Sequence, residues 1–312
     1  MMRAEASRSA IRRAAPTRGA RFIRELRSIA VFQAREILRD PLGLLGVVLF
    51  GAFVLMALLA PLLAPYDPTA NLTRPDGSVA RLATPSTLFW FGTTSLGEDV
   101  FSQTLAGSRL ALLIGLLSAA CTTIIGTNIG LIAGYFGRGT DDILMRLTDL
   151  AYSIPFLPFG IVLVAILGPS KWNLIIAITA LTWRTTARVI RSQVLSLKER
   201  PFIWSARAAG AGHLRILYLH IAPNILPLSF LYGSFAIGWA ITAEASLSFV
   251  GLGDPSAISW GKMLYFAFWA GAIRTAWWWV IPPGLCIGLL VLSSYLIARA
   301  YERVLNPKLR EA

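Results

Sequence analysis

The sequence predicts an all-α membrane protein with six transmembrane helices. Two observations carry that prediction. Of the 312 residues, 55% are hydrophobic and only 14% charged, and the apolar residues fall into repeated runs about one bilayer long. Basic residues then gather in alternate segments between those runs, as expected where one side of the membrane retains Lys and Arg. The expected spans are 42–63, 110–135, 150–167, 173–195, 225–249 and 280–301. A basic tail (1–40) precedes the membrane domain (41–310), with an outer loop at 65–108 and a basic inner loop at 198–223. The formal charge of +13 would suggest nucleic acid in a soluble chain. Here it marks the inner face, so the expected partner is the lipid bilayer and no nucleic acid.

Residues 1–40 hold ten arginines against four acids. Phe22, Leu26, Ile29 and Ile37 form a rough apolar stripe among them, which suits a helix lying on the bilayer surface. The first span is closed by Pro61, Pro65 and Pro68. The loop after it carries Arg74, Arg81, Asp67, Asp76, Glu98 and Asp99 without positive bias, which places it outside. Its end reads as a turn feeding an interfacial helix.

In the second span Gly126, Gly130 and Gly134 recur every four residues and share one helix face. Such a face lets a neighbouring helix approach closely, because tight packing drives association in lipid. Asn128 is the polar exception and is expected to face the bundle. Asp142 and Arg146, four apart, can pair along a helix, with Asp149 one turn further; the three read as a structural polar cluster. Pro155 and Pro158 predict a kink in the third span, because they free backbone carbonyls. In the fourth span Arg184, Arg188 and Arg191 share one stripe. Each would cost about 2.5–3.5 kcal/mol near the bilayer centre, so the stripe must face water, protein or headgroups.

The loop at 198–223 is basic and helix-prone. Pro201 suits a first helical position, small residues follow from Trp204 to Ala209, and Gly210 and Gly212 break the helix. A second run from Leu214 to Ile221 places Leu214, Leu217 and Ile221 on one face, with Pro223 as its stop. The result is a protruding helical knob. In the fifth span Glu244 is an ionisable residue at membrane depth, hence a candidate pathway or gate residue. The alternative is a structural hydrogen-bonded role. The Trp277–Trp279 run suits the membrane interface. Cys121 and Cys286 lie in apolar segments, which speaks for packing rather than a disulfide. No residue pattern points to a metal, and no strand-loop-helix phosphate loop occurs: Gly261 and Lys262 lack the upstream glycine and the following Ser or Thr.

From about Pro41 to Arg310 the sequence resembles the membrane subunits of ABC importers, in the branch serving dipeptides, oligopeptides and nickel. Ala206, Gly210 and Pro223 match the spacing of that family's coupling motif, within RAAGAG and HIAPN wording. Trp204 replaces the motif's leading Glu, Ser205 follows it, and His220 and Ala222 replace the usual Ile and Leu. Further matches are Gly92, Thr93, Gly97 and Asp99, with Thr94 and Glu98 departing. Gly134, Tyr135, Gly137, Asp142, Arg146, Asp149 and Pro155 also match, as do Glu244, Leu247, Ser248, Phe249, Gly251, Leu252, Gly253, Trp260 and Gly261.

The resemblance implies a type I importer permease fold with cytoplasmic coupling helices, in the inner membrane of a bacterium, both termini cytoplasmic. It implies no catalytic residues here, with ATP and Mg on partner subunits. The implied partners are a second homologous permease, two ATPase subunits and an external solute-binding protein. Trp204, Ser205, Ala206, Arg207, Ala209, Gly210, Gly212, His220 and Pro223 are the expected contacts to the ATPase. Glu244, Ser248, Asn128 and Arg184 are pathway or gate candidates. A secondary transporter or channel using Glu244 and the arginine stripe is the alternative reading. A membrane enzyme ranks below both, since His213 and His220 have no Ser or Cys partner pattern.

Overall fold

The computed structural model describes residues 37–305, which form helices joined by loops, with only isolated bridges Thr73–Val79 and Thr93–Asp99 among the described residues. The surface helix expected at Phe22–Leu38, most of the basic tail and the segment from Asn306 onward lie outside the described residues. We number the helices α1 (Pro41–Leu63), α2 (Val100–Phe136), α3 (Arg138–Ser153), α4 (Phe156–Leu167), α5 (Lys171–Leu197) and α6 (Pro201–Ala208). They continue as α7 (His213–Leu252), α8 (Trp260–Trp269) and α9 (Trp277–Leu305). Four of these, α1, α2, α7 and α9, are long and apolar enough to cross a membrane. The pair α3 and α4, bent by 92° at the break between them, makes a fifth candidate. At 27 residues α5 is long enough, but its threonines and arginines make it too polar for that set.

Helix α1 begins at an Asp40 cap whose carboxylate accepts from the Gly43 N–H. Gly43, Gly46, Phe53, Ala57 and Ala60 form its buried stripe, flanked by half-buried Phe50, Val54 and Met56, while Leu44, Leu45, Val48, Leu55, Leu58, Leu62 and Leu63 stay exposed. That distribution suits a helix whose outer face meets lipid tails rather than water. At its other end Arg109 of α2 donates to the Ala57 carbonyl at 2.7 Å.

The expected interfacial helix before the second span is the first part of α2 itself. Asp99 caps it, accepting from the Ser102 N–H at 2.8 Å and the Ser102 hydroxyl at 2.6 Å. At about 1.5 Å per residue, α2 runs roughly 55 Å. Glu98, which stands where the family pattern has Arg, finds its partner in the Thr94 hydroxyl, 3.0 Å away.

The centre of the fold is the α2–α5 contact. A methyl group on Gly126 would lie 2.6 Å from the Trp183 carbonyl, and one on Gly130 2.6 Å from the Ala187 carbonyl. On Gly134 it would meet Val194 at 2.8 Å. The obstacles at Gly126 and Gly130 include backbone, which cannot turn aside as a side chain can. The glycine stripe therefore sets the separation of the two helices.

The loop end differs from expectation in two ways. Helix α8 lies within what reads as a loop, and Trp260 at its start donates from Nε1 to the Thr104 carbonyl at 2.9 Å. The tryptophan run is split: Trp277 is exposed, but Trp278 and Trp279 are buried in the core beside α8. Trp278 donates to the Thr93 carbonyl, so the long first loop is tied to α9. Cys121 and Cys286 are both free thiols.

A Gly130→Leu substitution is expected to destabilise the detergent-solubilised protein by about 1–3 kcal/mol or more, as overpacking does. Thermal unfolding checks this against Gly284→Ala, whose new methyl would meet no atom within 4 Å and should leave the midpoint unchanged.

Candidate functional site

At one end of the bundle α5 and α7 are joined by a hairpin made of α6 and the glycine elbow. Pro201 opens α6 where a missing N–H costs nothing. At its close the Gly210 N–H donates to the Arg207 carbonyl at 2.9 Å and the Ala211 N–H to the Ala206 carbonyl at 3.0 Å. This is the paired closure that requires a left-handed residue between them, and Gly210 has φ +78°. No atom lies within 4 Å of a methyl group placed there. Gly210 is thus needed for backbone conformation rather than for space.

Helix α7 departs from the expected short second run. Pro223 does not stop it; the helix passes through Pro223 and Pro227 to Leu252. The reason lies in the wider turn at Ile216–Ile221, where the Ala222 N–H bonds back five residues to the Leu217 carbonyl. A turn so loosened absorbs both the proline ring and its missing donor. The same widening shifts the side-chain phase. Ile216, Leu217, Ile221 and Ile225 are buried, while Leu214, expected on that face, is 69% exposed.

Those four residues pack with Ile203 of α6 against Leu131, Tyr135, Ile190 and Val194, fixing the hairpin to the ends of α2 and α5. Lys198 Nζ donates to the Gly134 carbonyl at 3.0 Å, and His213 Nδ1 lies 3.0 Å from the Tyr135 hydroxyl. The outward face carries Phe202, Trp204, Leu214, Tyr218 and Leu219, all exposed. Ser205, Arg207, Ala209 and Gly212 are exposed beside them, Ala206 and His220 half-buried. Arg207 lies over the Trp204 ring, 5.4 Å from its centroid.

The arginine stripe of α5 faces protein. Arg191 grips Asp141 through Nε and, at 2.6 Å, through Nη2; Arg188 binds Asp149; Arg184 donates to the Ala151 carbonyl. Arg184 and Arg188 both stack on the Tyr152 ring, with centroid distances of 4.8 and 4.2 Å. The expected polar cluster is corrected in membership: Asp149 belongs to it, but Asp142 and Arg146 are exposed and do not pair with each other. The buried face of α3 runs through Asp141, Thr148 and Ala151, so Asp141 points toward α5 and its neighbour Asp142 away. The seven- and three-residue spacing of that face was the signal for Asp141.

The four pathway candidates occupy three settings. Glu244 is buried and accepts from the Ser248 hydroxyl at 2.6 Å, with Ser259 as a second partner. This pair lies where α7 meets α8. Asn128 accepts from the Tyr218 hydroxyl at 3.0 Å beside the hairpin, and Arg184 stands between the two ends. Near Glu244, Lys262 places its ammonium on the carbonyls of Asp254, Pro255 and Ala257. Burial pushes its pKa down, against the pull of Asp254 and Glu98.

Residues 126–311 match the family model described as the inner membrane component of binding-protein-dependent transport systems. Residues 33–85 match the N-terminal transmembrane domain of oligopeptide transport permease C. The chain belongs to this permease family. It is 36% identical over 277 residues to the dipeptide transport system permease protein DppC of Alkalihalophilus pseudofirmus, covering 88% of this chain and 89% of that protein. The di/tripeptide transport system permease protein DppC of Pseudomonas aeruginosa is 37% identical over 280 residues, covering 86% and 89%. The oligopeptide transport system permease protein OppC of Bacillus subtilis is 33% identical over 274 residues, covering 87% of each. The family match covers the hairpin, the arginine stripe and Glu244 together, so the chain is the multi-pass membrane subunit of a binding-protein-dependent transporter.

Breaking the Arg191–Asp141 pair leaves a partly buried guanidinium without its counter-ion. Asp141→Asn should therefore cost about 1–3 kcal/mol, read as a lowered unfolding midpoint, while Asp142→Asn should stay within about 0.5 kcal/mol.

Proposed function

We propose that the chain is one of two permease halves of an ATP-driven importer for peptides or peptide-like solutes. The observation that carries this is the hairpin, an exposed aromatic and apolar knob continuous with α5 on one side and α7 on the other. The names of the related permeases supply the peptide class. On this reading α5 is a sixth span, shielded from lipid by α2 and α3, and the α3–α4 pair is a broken one. Both termini and the hairpin face the cytoplasm of a bacterial cell, since Lys and Arg concentrate on that side.

Trp204, Ser205, Ala206, Arg207, Ala209, Gly210, Gly212, His220 and Pro223 form or support the surface that an ATPase subunit receives. The motif Glu is absent, so Trp204 meets the ATPase by apolar and stacking contact, with Arg207 beside it. ATP and Mg bind to two such ATPase subunits, and this chain contributes no hydrolytic residue. A second homologous permease completes the pore, and an external solute-binding protein delivers the solute. Closure of the ATPases displaces the hairpin and shifts the bundle between inward- and outward-open forms, to the extent that those subunits bind the two forms unequally. Glu244 and Ser248, at the outer end, hold α7 to α8 and take part in gating there.

Two measurements test the proposal. Tagged protein purified from native membranes should bring down a second permease and ATPase subunits, and the assembly should hydrolyse ATP faster with liganded binding protein. Recovery of the chain alone, active in proteoliposomes without ATP, would sink the reading and favour ion coupling through Glu244. Gly210→Val forces a β-branched residue into the left-handed region, at about 1–2 kcal/mol. It should lower uptake at least tenfold in membranes that still hold the assembled protein, and Gly210→Asn, which tolerates that region, should retain more.

A further inference from the structure

A cavity of about 170 Å³ opens midway along the bundle between α2, α5 and α7, with Tyr152 at its edge. Its walls are hydroxyl-bearing and aromatic: Thr122, Thr182, Thr185, Tyr232 and Trp239 among them. Thr122 and Thr182 share a hydrogen bond at 2.6 Å, and the Tyr152 hydroxyl donates to Thr185 at 3.1 Å. Arg184 is the one cation in the lining, which contains no acid.

The charge balance along α5 is uneven. Arg191 and Arg188 each have a carboxylate, from Asp141 and Asp149. Among the described residues Arg184, the one furthest from the hairpin, has only the Ala151 carbonyl and the Tyr152 face, and it shares that ring with the like-charged Arg188. A guanidinium has five N–H donors in a planar fork suited to a carboxylate. An uncompensated cation at membrane depth is costly and marks a place where a charge is received.

We propose that Arg184 is a specificity-determining residue that receives the carboxylate of the transported solute in this cavity, the aromatic and hydroxyl walls taking the adjoining peptide group. This rests on the importer reading above. The solute supplies at each passage the counter-ion that Asp149 and Asp141 supply within the fold to the other two arginines. With Arg188 and Arg191 each holding a carboxylate, Arg184 is the member of the stripe left, among the described residues, to receive an anion.

The test uses the complete transporter in proteoliposomes with its binding protein. Arg184→Gln keeps an N–H donor of shorter reach and removes the charge; Arg184→Lys keeps the charge. Uptake of a dipeptide with a free C-terminus should fall at least tenfold in R184Q and stay within about threefold in R184K. Uptake of the C-terminal amide of the same dipeptide should differ by no more than about twofold between wild type and R184Q. Assembly and ATPase stimulation by liganded binding protein should be unchanged. Equal uptake of the free acid by wild type and R184Q would overturn the proposal, as would an equal fall for acid and amide. Loss of assembly in R184Q would overturn it too, because the counter-ion would then belong to the partner permease. A wild-type complex that moves neither peptide would instead refute the importer-of-peptides reading itself.

Discussion

Close approach of α2 and α5 is the constraint on which the other contacts depend. Helix α5 carries three arginines on one stripe, and a helix so charged cannot sit in lipid. It is accommodated because Gly126, Gly130 and Gly134 let α2 press against its backbone on one side, while Asp141, Asp149 and the Ala151 carbonyl of α3 meet the arginines on another. Both kinds of contact are needed. Without the glycine stripe α5 would stand away from α2, and the apolar cluster that seats the hairpin on Leu131, Tyr135, Ile190 and Val194 would lose half of its walls. The hairpin's rigidity is therefore inherited from packing in the membrane.

Most of this architecture was legible in the sequence because membrane constraints leave few solutions. Apolar runs of bilayer length, a four-residue glycine repeat and a three-arginine stripe each have one dominant physical reading, and each is found in helices α2 and α5. The elbow at Gly210 was legible for a similar reason, since a glycine following a short helical run commonly supplies its left-handed closure. What could not be read were events that depend on a neighbouring turn. The wide turn at Ile216–Ile221 rotates Leu214 outward and Ile216 inward. No residue type announces it.

The candidate site shows the same division. The members of the hairpin were identifiable by order along the chain, because they are local. The partners of the arginines were not, because they come from α3 and depend on which of two adjacent aspartates faces α5. Pairing Asp142 with Arg146 follows from helix geometry alone, and an isolated helix would favour it by a few tenths of a kcal/mol. In the folded chain Asp141 is turned toward a guanidinium that is already partly desolvated, and that interaction outweighs the exposed pair. Tertiary burial decided where local spacing could not.

Two prolines with opposite outcomes bear on how the molecule could move. At Ile154–Pro155 the chain bends by 92° and α4 continues for only 12 residues, too short to cross the roughly 30 Å apolar layer unaided. At Pro223 the backbone has already widened and α7 runs on through it; of its 40 residues from His213 to Leu252, about 60 Å at the helical rise, only Gly251 near the far end leaves helical geometry, at φ +92°. A force applied at the hairpin would therefore travel along α7 to the Glu244–Ser248 contact with α8 at the far end. The α3–α4 pair has a ready hinge between its halves. Arg184 is bonded to Ala151 and stacked on Tyr152, within four residues of that hinge. On the importer reading, any anion that engages Arg184 engages it where a stiff element and a jointed one meet, so solute binding and helix movement act on the same few residues.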